Sequence, residues 1–457
     1  MEPKVAREVS TTRNFECGLR CSCGIVSSVR EQRSRSARQV VRRRLAAVIL
    51  GAFVAAAVAV AAAQSQARAT DINIGWDGDQ SGQSASSQAP IMHAIEAYFR
   101  MTNDAGGVDG HKLNLLERDD AYSATTELSV VKSLINDDHV PVIMGLGQAA
   151  GLSAVVPVLT QTQTVGFMTQ ATAKAATYPF QPWVFEGNCN LADQGDVALA
   201  FEMRHLKLKN LNGLKVGVAS MNVASGTEWD QNISARIQAL GGTPVHESLP
   251  VPLADAAAQV QDLISNKVAF VLLHHSMSGG IAFVKSADQY NLNVPIATSH
   301  GSAQPLLFSS TPYNANKNVV VVNCVSPPYL ASDANGKLAQ TIAQKYGYSA
   351  AEYGQSSWLL GWIGAQTIVQ ALKNAKGDYT GAGVKKGLEA IKNLDTGLSP
   401  NISYASNCHM GIRAARPFTY NYKTDQLVPI GRYQDWQSAI TSAYAGPGTC
   451  GVARTKK

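Results

Sequence analysis

Several clusters of residues could do chemistry. Asp119-Asp120 follows the apolar run Leu113–Leu116, and adjacent carboxylates at a strand end could serve as acid and base. The commoner use of such a pair is to cap the turn that follows. Gly145-Leu146-Gly147-Gln148-Ala149-Ala150-Gly151 lies between an apolar strand and a helical stretch. Glycines there let backbone N–H groups approach an anion. The spacing is GxGxxxG, the loop follows the third strand, and no acidic residue ends the next strand to hold a ribose. It reads as a tight turn presenting N–H groups to a small carboxylate. His274-His275 closes another strand, where neighbouring side chains point to opposite faces and do not easily share a metal. Cys17, Cys21 and Cys23 are spaced like metal ligands but lack a fourth,. There is no GxSxG and no HExxH. No constellation commits to catalysis, so we expect neither an enzyme nor a cofactor or metal.

The elements that position these residues alternate. The strand near Asp71–Trp76 is followed by a polar Ser, Gly and Gln stretch. Pro90 then opens a helix with Ile91, Ala94, Ile95, Tyr98 and Phe99 at helical spacing,. Strand Leu113–Leu116, helix Thr125–Ile135, strand Val140–Met144 and strand Val165–Met168 continue the series. A second series begins near Gly195: a helix to Lys207, strand Lys215–Ala219, a helix from Thr227 to the Gly241-Gly242 stop, helix Ala254–Ile264 and strand Val268–Leu273. Helix Gly280–Tyr290 and strands Val294–Ala297 and Asn318–Cys324 follow. Two more helices, from Leu338 and over Trp358–Lys373, precede a late β pair at Pro417–Tyr422 and Gln426–Ile430. Apolar strands alternating with helices predict parallel sheets covered on both faces. Two series predict two doubly wound α/β lobes.

The chain has 457 residues, 45% hydrophobic and 16% charged, which is enough for two or three packed domains and too apolar for disorder. Residues 1–69 hold twelve Arg or Lys against four Glu, a net of +8 out of +6 overall, so the remainder carries −2. That balance removes electrostatic support for nucleic-acid binding. Arg42-Arg43-Arg44, the apolar run Leu45–Ala63 and Ala67-Arg68-Ala69 read as a signal peptide over about 38–69, cleaved before Thr70,. We therefore expect a periplasmic protein. Cys189, Cys324, Cys408 and Cys450 remain after cleavage, an even number in an oxidising compartment with three possible pairings.

Together these elements resemble the type I periplasmic solute-binding family, in its leucine-binding, branched-chain amino acid branch. The resemblance is carried by Asn73-Ile74-Gly75, Asp79-Gln80-Ser81-Gly82, the block Asn103–Lys112 and Glu117-Arg118-Asp119-Asp120. It continues through Val142–Gly145, Gln170-Ala171-Thr172 and Ala239–Gly242, and covers nearly all of 71–430. It implies two lobes, 71–187 with 325–416 and 190–322 with 420–457, joined by a three-segment hinge near Glu186–Cys189, Val322–Val325 and Arg416–Tyr420. A Cys189–Cys324 bond would staple that hinge, leaving Cys408 with Cys450.

The resemblance also implies that loops of lobe one hold a ligand carboxylate, here through Gln83 and Ser84, then Gln148, Ala149 and Ala150, then Gln170, Ala171 and Thr172. Lobe two would contribute Ser225, Glu228, Trp229, His275 and His300, with Trp76, Trp229 and His275 as cleft walls. The family's acidic partner for an ammonium has no carboxylate counterpart at Ser299–Gly301. Either Glu228 substitutes for it, or the ligand is a short or aromatic carboxylate or an amide with no ammonium. The implied function is a monomeric periplasmic receptor that binds a small amino acid or related organic acid or amide in the interlobe cleft by hinge closure and delivers it to an ABC permease in the inner membrane. The alternatives are a sensing partner of a signalling receptor and an exported α/β enzyme.

Overall fold

The computed structural model describes residues 70–82, 84–170, 180–326 and 334–435, all within one compact unit that begins at Ala69. The leader, Gln83, Ala171, Thr172 and Cys450 lie outside the described residues.

Strands β1 (Ile72–Gly78), β2 (Leu113–Asp119), β3 (Val142–Gly145), β4 (Val165–Met168) and β5 (Val184–Glu186) form a parallel sheet in the order β2-β1-β3-β4-β5. They are joined in part by α1 (Ala85–Asp104), α2 (Ala124–Asn136) and α3 (Ala149–Thr162). Every residue of β3, β4 and β5 is buried, as expected for strands covered on both faces. Ile72, Ile74 and Trp76 pack into one core with Ile91 and Phe99 of α1. Ile143 packs into another with Leu134 and Leu159.

Helix α4 (Leu191–His205) opens the second series. Strands β6 (Lys215–Met221), β7 (Thr243–Leu249), β8 (Val271–His274), β9 (Ile296–Thr298) and β10 (Val319–Asn323) alternate with α5 (Ala224–Ala239), α6 (Ala257–Ser265) and α7 (Met277–Gln289). The chain then returns to the first sheet. There α9 (Ser356–Ala375) packs on α1 and α10 (Gly381–Glu389), and α8 (Ala334–Lys345) also meets α1. Gly361 permits the α9 crossing, since a Cβ there would lie 2.0 Å from the Ile91 carbonyl oxygen. The late pair β11 (Ala414–Asn421) and β12 (Gln426–Pro429) and the short β13 (Gln434–Asp435) complete the second sheet, in the order β12-β11-β10-β9-β8-β6-β7 with β13 on β11. β6 to β10 are parallel, whereas β11 and β12 run antiparallel. β11 is already paired with the second sheet at Asn323↔Arg416, so the chain reaches that sheet before Arg416.

Helix α1 begins at Ala85, with Pro90 inside it, not at Pro90. Ser84 already accepts N–H bonds from Ser87 and Gln88, so the first turn is closed by polar residues that carry no apolar period. β7 was not expected. It is an edge strand with Pro244 at its second position and a mixed burial pattern, where pairing and not hydrophobicity defines the strand.

Cys189 and Cys324 form a disulfide with Cα atoms 6.2 Å apart, across a sequence separation of 135. Both are fully buried. Cys189 precedes α4 and Cys324 follows β10, so the bond joins two passages between the sheets. Cys408 is also disulfide-bonded. Among the described residues no helix is long and apolar enough to cross a membrane.

Candidate ligand site at the facing sheet edges

In both sheets the strand order reverses, between β1 and β3 in the first and between β6 and β8 in the second. Crevices outside the carboxyl ends of strands at such reversals are where doubly wound folds hold ligands. Here α3 of one lobe meets α5 of the other, and Ser356 Oγ at the start of α9 donates to the Ala303 carbonyl of lobe two at 3.4 Å.

The loop after β1 is built on Asp79, whose carboxylate accepts N–H bonds from Ser81 at 3.2 Å, Ser84 at 2.6 Å and Gly82. Asp119 accepts from the Gln80 and Ala121 N–H groups, each at 2.9 Å, and from Ser81 Oγ at 2.6 Å. Asp120 accepts from the Tyr122 N–H at 2.7 Å. The Asp119-Asp120 pair therefore serves turns. Asp79, Asp119 and Asp120 approach each other closely enough to suggest a cation, but the amide donors already account for Asp79 and Asp119.

Behind them lie Asp77, Asp120 and Glu127, all fully buried. Burial, reinforced by the neighbouring carboxylates Glu127 and Asp120, holds Asp77 well above the usual range. Burial and Asp120 push Glu127 up to about 8. Glu127 therefore keeps its proton at neutral pH.

The loop after β3 turns at Gly145, φ +100°, where a Cβ would lie 2.0 Å from the Asp77 carbonyl oxygen. Gln148, nearly buried, sits at the N-cap of α3. The backbone of Ala149 and Ala150 forms the first turn of that helix, and Ala150 is exposed. Gln170, after β4, donates through Nε2 to Ser87 Oγ at 3.1 Å, so three strand ends and α1 converge on Ser84, Ser87, Gln148 and Gln170. Trp76 is fully buried in the core beneath β1.

In lobe two, α4 is fixed to α5 by a buried pair in which Arg236 Nε and Nη2 donate to the Asp196 oxygens at 3.2 and 3.1 Å. Ser225 and Glu228 lie half-buried in the first turns of α5. Trp229 is fully buried and stacks on His274, centroids 5.4 Å apart. His275 uses both ring nitrogens locally, since Nε2 meets the Pro250 carbonyl at 3.1 Å and Nδ1 accepts the Ser276 N–H at 2.9 Å. His274 is the histidine on the Trp229 side, with Nδ1 2.7 Å from Ser299 Oγ. Burial pushes it well down, and it is neutral. His300 is half-buried after β9, with Nδ1 2.9 Å from Gln194 Oε1. Sequence reasoning placed His274-His275 and Ser299–Gly301 near the ligand but chose His275 as the wall residue, and it did not single out Gln194. A lone glutamine inside a helix carries no motif.

Both edges also hold buried polar atoms without a hydrogen-bond partner among the described residues. These include Trp76 Nε1, Thr169 Oγ1 and Gln170 Oε1 in lobe one, and Trp229 Nε1, His274 Nε2 and Thr298 Oγ1 in lobe two.

A family model described as periplasmic binding protein matches residues 71–425. A search of curated protein sequences finds no match. Among solved structures, a branched chain amino acid ABC transporter protein from Thermus thermophilus with bound valine is 16% identical and has a TM-score of 0.73. The alignment covers 81% of this chain and 98% of that one. A fatty acid ABC transporter substrate-binding protein from Thermomonospora curvata is 19% identical at TM-score 0.67, covering 81% and 94%. A solute binding protein from Rhodopseudomonas palustris BisB5 in complex with 3,4-dihydroxy benzoic acid is 19% identical at TM-score 0.67, covering 80% and 97%.

Proposed function

This chain belongs to the periplasmic binding protein family, and from that premise we propose that it is the extracytoplasmic solute receptor of an ABC importer. It takes a small organic acid or amide between its two lobes and delivers it by hinge closure. The observation that carries this reading is the buried, unpaired polar atoms at both sheet edges. Leaving such groups unsatisfied costs about 1–3 kcal/mol each, and a polar ligand between the lobes offsets that cost. The lobes proposed are 71–187 with 325–413, and 190–322 with the chain from Ala414 onward, since β11 already pairs with the second sheet, and the leader 1–69 directs export.

The proposed contacts in lobe one are Gln83, Ser84, the α3 N-terminus at Gln148–Ala150, and Gln170–Thr172, which together suit a carboxylate. A helix N-terminus favours an anion by its orphan N–H groups and its dipole. Valine and 3,4-dihydroxybenzoic acid, the ligands of two structural neighbours, share a carboxylate and little else, which supports that assignment. In lobe two the proposed contacts are Ser225, Glu228, Trp229 and His300, with His274 beside them.

Export of the full chain into a bacterial periplasm, followed by native mass spectrometry before and after mild denaturation, tests the reading. A co-purified small carboxylate is expected, or, from an empty preparation, a thermal shift with one member of a panel of carboxylic acids and amides. Turnover of the bound compound, or no shift with any of the panel, would sink it.

A further inference from the structure

We infer that His300 stands at the edge of lobe two as a neutral imidazole carrying its proton on Nδ1. Its Nε2 lone pair then faces the ligand, so the site selects a small carboxylate whose second polar group is an uncharged donor, a hydroxyl or amide N–H, over one bearing an ammonium. The inference rests on the receptor reading above and assigns the residue that sets its specificity.

The tautomer follows from Gln194. The backbone N–H of His300 can only donate, and it meets Gln194 Oε1 at 3.0 Å. On the other side of the same amide, Gln194 Nε2 donates to the Cys189 carbonyl at 3.1 Å. Both contacts fix the amide in one orientation. The atom 2.9 Å from His300 Nδ1 is therefore an oxygen without a hydrogen, and Nδ1 must carry the proton. Burial holds His300 down at about 4, so the ring has no second proton and Nε2 is a bare acceptor. That nitrogen makes no hydrogen bond among the described residues, and the ring is half-buried at a strand end.

Its neighbours on the ends of β8 and β9 offer a cation no counter-charge, and Glu228 on α5 is the one carboxylate among the proposed contacts of lobe two. His274 is buried beside it and neutral, and Ser299 and Gly301 add no charge. An ammonium here would give up its hydration for neutral acceptors, which is costly. A hydroxyl gives up much less and gains a full hydrogen bond. Gln194 is the positioning residue, because its orientation decides which nitrogen is bare.

Two measurements on the exported full chain test this. Long-range 15N–1H correlation spectra of the histidine rings report the tautomer, with His300 assigned by His300→Gln or, should that variant not fold, by triple-resonance assignment of the wild type. An unprotonated Nε2 is expected, and a proton there overturns the inference. Gln194→Leu should mix the two tautomers in the same spectra.

Calorimetric titration then compares L-2-hydroxyisocaproate with L-leucine, and 4-hydroxybenzoate with 4-methoxybenzoate. In the pair that binds, the hydroxyl member should be at least tenfold tighter, and His300→Glu should turn the first preference toward leucine. Leucine bound more tightly by the wild type, and lost in Glu228→Gln, overturns the inference while leaving the receptor reading intact. Equal affinities within a pair overturn it as well. No binding by any of the four compounds, together with no shift in the wider panel, fells the receptor reading and this inference with it.

Discussion

Glu127 is the residue whose chemistry most departs from its surroundings. Its native carboxyl, raised from 4.5 to about 8, keeps a proton that the unfolded chain releases near pH 4.5. The stability it contributes is present below that pH and is lost as pH rises toward 8, at about 1.4 kcal/mol per pH unit. Glu202, buried on α4 and also raised to about 8, adds a slope of the same sign. In urea unfolding at pH 5 and pH 7.5, Glu127→Gln should lose less stability between the two than the wild type. An unchanged pH slope would mean the carboxyl is ionised in the fold. The sequence displayed Asp119-Asp120 because the two are adjacent. It hid the triad of Asp77, Asp120 and Glu127, which assembles only when β1, β2 and α2 pack.

At the scale of elements, most strands and helices were legible because their apolar positions keep one period. Val165–Met168 matches β4 residue for residue. What escaped were short elements, the buried three-residue strand β5 and the helix α10, and elements held by polar contacts: the first turn of α1, where Ser84 and Asp79 close the backbone, and the edge strand β7. The glycine loop was legible as a turn, and the structure supplies the reason. Gly145→Ala would press a methyl group into the Asp77 carbonyl at a positive φ, so it should destabilise the protein by about 1–3 kcal/mol and abolish ligand-induced thermal shifts. A melting temperature equal to wild type would contradict that strain. The Asp196–Arg236 pair between α4 and α5 was invisible in sequence, since 40 residues separate the partners. Asp196→Ala removes the carboxylate to which the buried Arg236 donates two hydrogen bonds and should destabilise the protein, read as a drop in the urea midpoint.

At the scale of the whole molecule, the two-lobe architecture followed from two runs of alternating elements, and the Cys189–Cys324 bond followed from the family resemblance. Geometry, and not spacing, chose among three pairings. A bond closing about 135 residues limits the unfolded chain by about 5 kcal/mol in the entropic account. The double substitution Cys189→Ser with Cys324→Ser should therefore lower the melting temperature well below that of the oxidised wild type. Equal melting temperatures with and without reductant would show that the bond adds nothing.

The same bond makes stability depend on where the chain is. Thiols stay reduced in the cytosol and pair only in an oxidising compartment, so on the proposed export route a newly made chain lacks this constraint before translocation. On that route the added stability is deferred until arrival, and a precursor retained in the cytosol would unfold at a lower temperature than the delivered protein. Its oxidation state thus reports completed delivery.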